Sequence, residues 1–339
     1  MQAHALAHLP WMAVSKASNS DRAEIERLAA QTAQFTAKVR QAFLDAIDQI
    51  GNSVDTKRVA DLLRQGRVSE AIEVVSVAAI AAGLKPVAAA VTDVLIAAGR
   101  AAPIPALGQA QFVFGAMSPR TVAYLQQYEF GLIRDLTAEA RRAIGQIIAD
   151  GVTNGINPND IARDVRAHIG LTQWQSEAVS NYRRALENAD RAALQRALRD
   201  RRFDSSVARA ARGEKALSPE QIDKMVDRYR QRYLTYRAET IARTEAIRAV
   251  NTGNLEAWRQ AVDEGRLTQD QIVRKWVFTH DDRTRHAHRT IPEMNPDGVG
   301  LNEPFKSELG PIRYPGDPLA AASNVINCRC AQIIRFRAA

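Results

Sequence analysis

Apolar residues recur at helical spacing along most of this chain, and close to Gly265 the pattern stops. Beyond it come Gly298, Gly300, Gly310, Gly316 and several prolines, with short alternating stretches between them. This change of period constrains the fold more than any other feature. A long series of helices must give way to a small unit of loops and short strands. The fold class is therefore α+β, with a long, mostly α-helical N-terminal and middle region and a loop-rich C-terminal α+β module. Boundaries fall where composition shifts: 1–117 as an N-terminal helical region, 118–218 as a helical middle region that is arginine-rich towards its end, and 219–339 as the C-terminal module.

Within the helical part, Ile25, Leu28, Phe35, Val39, Phe43 and Ile47 predict a helix from Ser20 to Ile50, stopped by Gly51. Asp55–Leu63 and Ser69–Ala82 continue the pattern, with Gly83 as a stop, and Pro86–Ala98 reads as a separate apolar helix. Pro103 and Pro105 make 101–108 a linker. Ser118-Pro119 is a helix start, because proline is tolerated in the first turn. Leu136–Asp150 is amphipathic, and Gly155–Asp160 is a turn and cap before Ile161–His168. After Gly170, a further arginine-rich helix begins at Thr172 or Gln173. Ser218 and Gln221 have capping-box spacing and open a long helix from Pro219 towards Val250. On it Ile222, Val226, Tyr229, Tyr233 and Tyr236 form one stripe, which reads as a packing face with wet hydroxyl ends. Arg274–His280 alternates and reads as a strand with Trp276, Phe278 and His280 on one face; Val325-Ile326 and Gln332–Phe336 are further short strands.

The formal net charge is +8. Between Tyr182 and Arg248 lie 17 Lys/Arg against 10 Asp/Glu, so most of the surplus sits in one stretch. Such a stretch can contact nucleic acid through its phosphates, or form solvated helix faces laced with ion pairs. The segment Met1–Val14 lacks the basic start and continuous apolar core of a signal peptide. The most apolar stretch, Val74–Met117, is interrupted by Lys85, Pro86, Asp93, Arg100, Pro103 and Pro105. It reads as buried core helices and leaves no stable membrane span. Two cysteines argue against a disulfide framework.

Chemically distinctive residues concentrate at the C-terminal end. Arg243, Ile247 and Asn251, spaced by four, share a helix face, and Glu245 lies on another side. Their expected role is to pin the helix to neighbouring loops, since buried charges require partners. Asp281 to His288 follows the first strand directly. In it Asp281 can accept backbone N–H bonds and Thr284 can cap a short helix. One of His286 and His288 is expected to be merely exposed. Cys328 and Cys330 are two apart, so in an extended segment both thiols point the same way and can reach one ion. Zinc takes four ligands from Cys, His and carboxylate. His288 is the natural third, and Asp281, His280 or His286 the candidate fourth. The alternative is a pair of small, buried, unligated cysteines. An enzymatic reading also stands: a zinc-dependent hydrolase with Glu245 as base and His288 and the cysteines as ligands. No phosphate-binding loop, GxSxG elbow or nucleophile–base pair accompanies it, so no catalytic residue is assigned.

The ordered set Ile241-Ala-Arg-Thr-Glu245, Asn251, Lys275-Trp276, Asp281, Arg283-Thr-Arg285 with His288, Glu303 with Phe305, Tyr314-Pro-Gly-Asp-Pro318 and Asn327-Cys-Arg-Cys330 resembles the phage Mu F-like head morphogenesis family, the minor head proteins of tailed bacteriophages. The resemblance covers 229–334, with looser similarity from Leu136 onwards. One departure is the segment Ile291–Asp297 before Gly298, where family members often carry a glycine soon after the histidine. The resemblance implies a structural, non-enzymatic component of the virion head, made in the bacterial cytoplasm. Its implied partners are the portal, major capsid or scaffold proteins, with nonspecific contact to packaged DNA. It further implies that Arg243, Glu245, Asn251, Asp281, Arg283, Thr284, Arg285 and Asp317 are motif residues.

Overall fold

The computed structural model describes residues 19–75, 77–107, 110–116, 118–279 and 281–337. The expectations for Met1–Val14 and for His280 lie outside them. Helices dominate: α1 (Asn19–Ser53), α2 (Thr56–Arg64), α3 (Val68–Val74), α4 (Val77–Arg100), α5 (Pro119–Thr153), α6 (Pro158–His168), α7 (Gln173–Glu187), α8 (Asp204–Ala211) and α9 (Pro219–Asp263). Then come strand β1 (Ile272–Val277), three one-turn helices, α10 (His286–Arg289), α11 (Ile291–Met294) and α12 (Ala322–Val325), and strand β2 (Ala331–Phe336). This is a helix-rich α+β fold.

The capping chemistry read from the sequence forms. Thr172 and Gln175 make a reciprocal capping box at the start of α7. At α9 the Gln221 side chain accepts from the Ser218 N–H at 3.0 Å, while the Ser218 hydroxyl accepts from the Gln221 N–H at 3.3 Å. Both pairs satisfy backbone donors that a helix start leaves orphaned.

Four local expectations are corrected. Gly51 does not stop α1, which runs on to Ser53. Gly83 and Pro86 do not separate two helices, because α4 passes through both. At Gly83 a Cβ would overlap the Ile50 side chain, so the glycine permits close helix packing rather than ending the helix. α9 continues past Val250 to Asp263, because Leu255, Trp258 and Ala261 are all buried and extend its packing face. Val325-Ile326 is not a strand: Val325 ends the turn α12. The segment Val68–Arg100 is long and apolar enough to cross a membrane by length and composition. In the structure its Leu84, Val87, Val91, Val94 and Leu95 are buried.

The chain divides into two compact units, 1–42 with 87–129 and 239–339, and 43–86 with 130–238. In the second, Tyr182, Val207, Ile222, Met225, Val226, Tyr229 and Tyr233 share one core. The tyrosine stripe packs as expected as far as Tyr233, with Tyr229 and Tyr233 edge to face at 5.0 Å; Tyr236 is half exposed. Of the 17 Lys/Arg between Tyr182 and Arg248, eight are in ion pairs, among them Arg183 with Asp223, Arg199 with Asp204 and Arg202 with Asp200. The helix-surface account therefore explains much of the basic stretch.

In the other unit, β1 and β2 pair antiparallel, with Arg274 opposite Ile334 and Trp276 opposite Gln332. Leu255 and Trp258 of α9 pack with Ile272, Leu301, Tyr314 and Ile334. A second cluster joins Trp276, Ile291, Val299, Phe305, Ile312 and Val325 to both cysteines.

Candidate functional site

The strands and loops that follow α9 are held to its C-terminal half by side chains that reach backbone. Asn251 is buried; its Oδ1 accepts from the Gln332 N–H at 3.0 Å and its Nδ2 donates to Ile247 O at 2.8 Å. The Gln332 side chain returns a bond to Asn251 O at 3.2 Å, so β2 is fastened to α9 by two contacts. Two turns earlier, the Thr244 hydroxyl accepts from the Asn327 N–H at 3.1 Å, and Arg243 reaches Asn327 Oδ1 at 3.5 Å. Asn327 sits at φ +56°, a left-handed conformation that Asn tolerates better than most residues.

Glu245 accepts from the Tyr128 hydroxyl and pairs with Arg248 at 3.0 Å. Burial, reinforced by the Glu245 charge, pushes the Tyr128 phenol well above its ordinary value. Arg248 in turn donates to Gly316 O at 2.9 Å. Asp317, in the Tyr-Pro-Gly-Asp-Pro motif, is buried and accepts from the Arg313 N–H at 2.9 Å, the Arg313 guanidinium and the Leu319 N–H at 3.0 Å. Burial alone would raise its pKa, but the Arg313 bonds outweigh that and lower it.

Asp281 closes the turn after β1. It accepts from the Arg283 N–H at 3.0 Å and from the Thr284 hydroxyl at 3.2 Å, and both its oxygens bond the Arg329 guanidinium. The Arg329 bonds hold its carboxyl down at about 2. Thr284 also donates to Thr279 O at 2.5 Å rather than capping a helix, since α10 begins after Arg285 without a side-chain cap. Arg285 donates to Ile326 O at 2.6 Å, and the Arg283 side chain is exposed. His286 is 81% exposed and faces Glu308, whereas His288 is buried.

His288 meets the cysteines. The ligand atoms of His288, Cys328 and Cys330 lie within 4.8 Å of one another. Nδ1 is 3.6 Å from the Cys328 sulfur and 3.4 Å from that of Cys330. On the other side of the ring, Nε2 is 2.5 Å from Asn324 Oδ1. The Trp276 ring stands edge-on to the imidazole at 5.4 Å. Among protein groups alone, a hydrogen bond from Cys330, followed by His288, holds the Cys328 thiol well below its ordinary value. Burial pushes the Cys330 thiol well above it. Burial lowers the His288 imidazole, but the hydrogen bond and charge of Cys328 outweigh it and raise the pKa overall. Asp281 is not in this group. Its carboxylate is taken by Arg329, the residue between the cysteines.

Three contributors were not singled out from the sequence. Asn324 has no motif of its own, and Arg329 stands between two better-known ligand types. Arg274, 1% exposed, donates to Gly300 O at 3.0 Å, Arg313 O at 2.7 Å, Gln332 Oε1 at 3.0 Å and Glu303 O. Burial brings its pKa down to about 10. Its position in alternation with Trp276 was the available signal, because both must face inward on one strand.

Residues 193–333 match the family model described as Phage Mu protein F like protein. The resemblance carried by the landmark residues is borne out over that segment. No curated protein and no solved structure matches the chain at a significant level.

Proposed function

We propose that the chain is a minor head protein of a tailed bacteriophage, incorporated during head morphogenesis in the host cytoplasm. Its partners in this reading are the portal protein and the major capsid or scaffold proteins, and it aids DNA packaging or delivery. The observation that carries the reading is the family match over 193–333, which spans every landmark from Arg243 to Cys330. The behaviour of those landmarks supports it. Arg243 and Asn251 tie α9 to Asn327 and β2, Asp317 braces its own loop through Arg313 and Leu319, and Glu245 is committed to Tyr128 and Arg248. In this reading 219–339 acts as the Mu F-like module, preceded by helical regions 1–117 and 118–218. The residual positive charge between Tyr182 and Arg248 supplies nonspecific contact with packaged DNA.

The test is co-expression of a tagged copy with the portal and major capsid proteins of the same phage, followed by purification of assembled heads. The tagged chain is expected to co-purify with heads and to be lost when the portal is omitted. Heads that assemble normally yet never contain it would overturn the reading.

A further inference from the structure

We propose that His288, Cys328 and Cys330 bind a thiophilic divalent ion of the zinc class, which fastens the turn after β1 to the segment entering β2. The inference is independent of the role in phage heads. It rests on four observations.

The first is convergence. Both sulfurs approach the same nitrogen, Nδ1, at 3.4 and 3.6 Å. An imidazole nitrogen has one lone pair and can accept one S–H, so hydrogen bonding accounts for one of the two contacts. An ion at the centre of the three atoms accounts for both. The second is the tautomer. Nε2 is 2.5 Å from Asn324 Oδ1. A carboxamide oxygen only accepts, so Nε2 carries a proton in this geometry, and the neutral ring presents its Nδ1 lone pair to the sulfurs. This is how a metal-bound histidine is held by its outer partner. The third is spacing. Bonds of about 2.3 Å to sulfur and about 2.0–2.1 Å to nitrogen in a tetrahedron set the N···S edge at about 3.5–3.6 Å, and the two observed separations bracket it closely. The fourth is charge. All three side chains are buried, and Cys328 and Cys330 pack against Trp276, Ile291, Phe305 and Val325. Ligated as thiolates, the two cysteines would bring two negative charges into this apolar surround, where buried charge requires a partner. A divalent cation brings the set to neutrality.

Such a site links residues that the chain separates widely. His288 follows the β1 turn, and the cysteines precede β2. The Asp281–Arg329 pair runs alongside, so the same two segments are joined by an ion pair and a metal.

The experiment uses the full chain with a tag free of histidine, purified under reducing conditions without chelator. Elemental analysis should find zinc at close to one equivalent, and Cys328→Ser and Cys330→Ser should each lose it. Asn324→Ala should keep the ligands but weaken the site by about 10–100-fold in competition with a chromophoric chelator. Should the cysteine variants fail to fold, cobalt(II) added to chelator-stripped wild type gives a second readout: thiolate-to-cobalt absorption with intense tetrahedral visible bands. Metal far below stoichiometric in the purified protein, together with no thiolate–cobalt absorption, would overturn the proposal. So would stoichiometric zinc that persists in folded Cys328→Ser and Cys330→Ser. Failure of head incorporation with metal present would sink only the phage-head reading.

Discussion

Replacing Asp281 with Asn tests the turn that holds the C-terminal module closed. The substitution keeps an oxygen for the Arg283 N–H and removes the charge that both Arg329 contacts use. Holding a carboxyl at about 2 instead of 3.8 corresponds to about 2.4 kcal/mol of preference for the ionised form in the fold. Solvent at the edge of the pair screens part of this, leaving roughly 1–2 kcal/mol. The folded pKa is depressed, so this stability is fully present above the unfolded value and is lost as the pH falls through about 2. Urea denaturation followed by tryptophan emission should show Asp281→Asn less stable by roughly 1–2 kcal/mol at neutral pH. From the same displacement, that deficit should shrink to about a third near pH 2.5. Arg329→Met should cost a similar amount, and the double variant less than the sum, because the two share one interaction. A deficit below about 0.5 kcal/mol at neutral pH, or one undiminished in acid, would refute the reasoning.

Three further outcomes follow from other parts of the fold. Asn251→Ala leaves the buried Gln332 N–H without its acceptor and should cost about 1–3 kcal/mol, measured by equilibrium denaturation with an unchanged m-value. Tyr233→Ala removes a buried ring and should cost about 3–5 kcal/mol, whereas Tyr236→Ser, half exposed, should stay within about 0.5 kcal/mol; equal losses would contradict the assigned packing face. At Gly253 a Cβ would overlap the Leu95 carbonyl, so Gly253→Ala should destabilise by about 1–3 kcal/mol, visible as a lower thermal midpoint, even though alanine is the better helix former.

Much was legible in the sequence because it is local. The caps at Thr172 and Ser218, the tyrosine stripe to Tyr233, the break at Gly170 and the strand around Trp276 each depend on residues within a turn or two. Convergence of one histidine and two cysteines was readable as a chemical capacity, since residue type and a spacing of two allow it. What the sequence could not decide depended on neighbours distant along the chain. Gly83 is a helix stop or a packing notch according to whether Ile50 lies against it. Asp281 is a metal ligand or a salt-bridge partner according to where Arg329 points. Arg274 reads as an ordinary strand charge until the carbonyls of Gly300, Glu303 and Arg313 gather round it. In each case the free energy lies in an approach between groups far apart in sequence, and only the tertiary structure sets that approach.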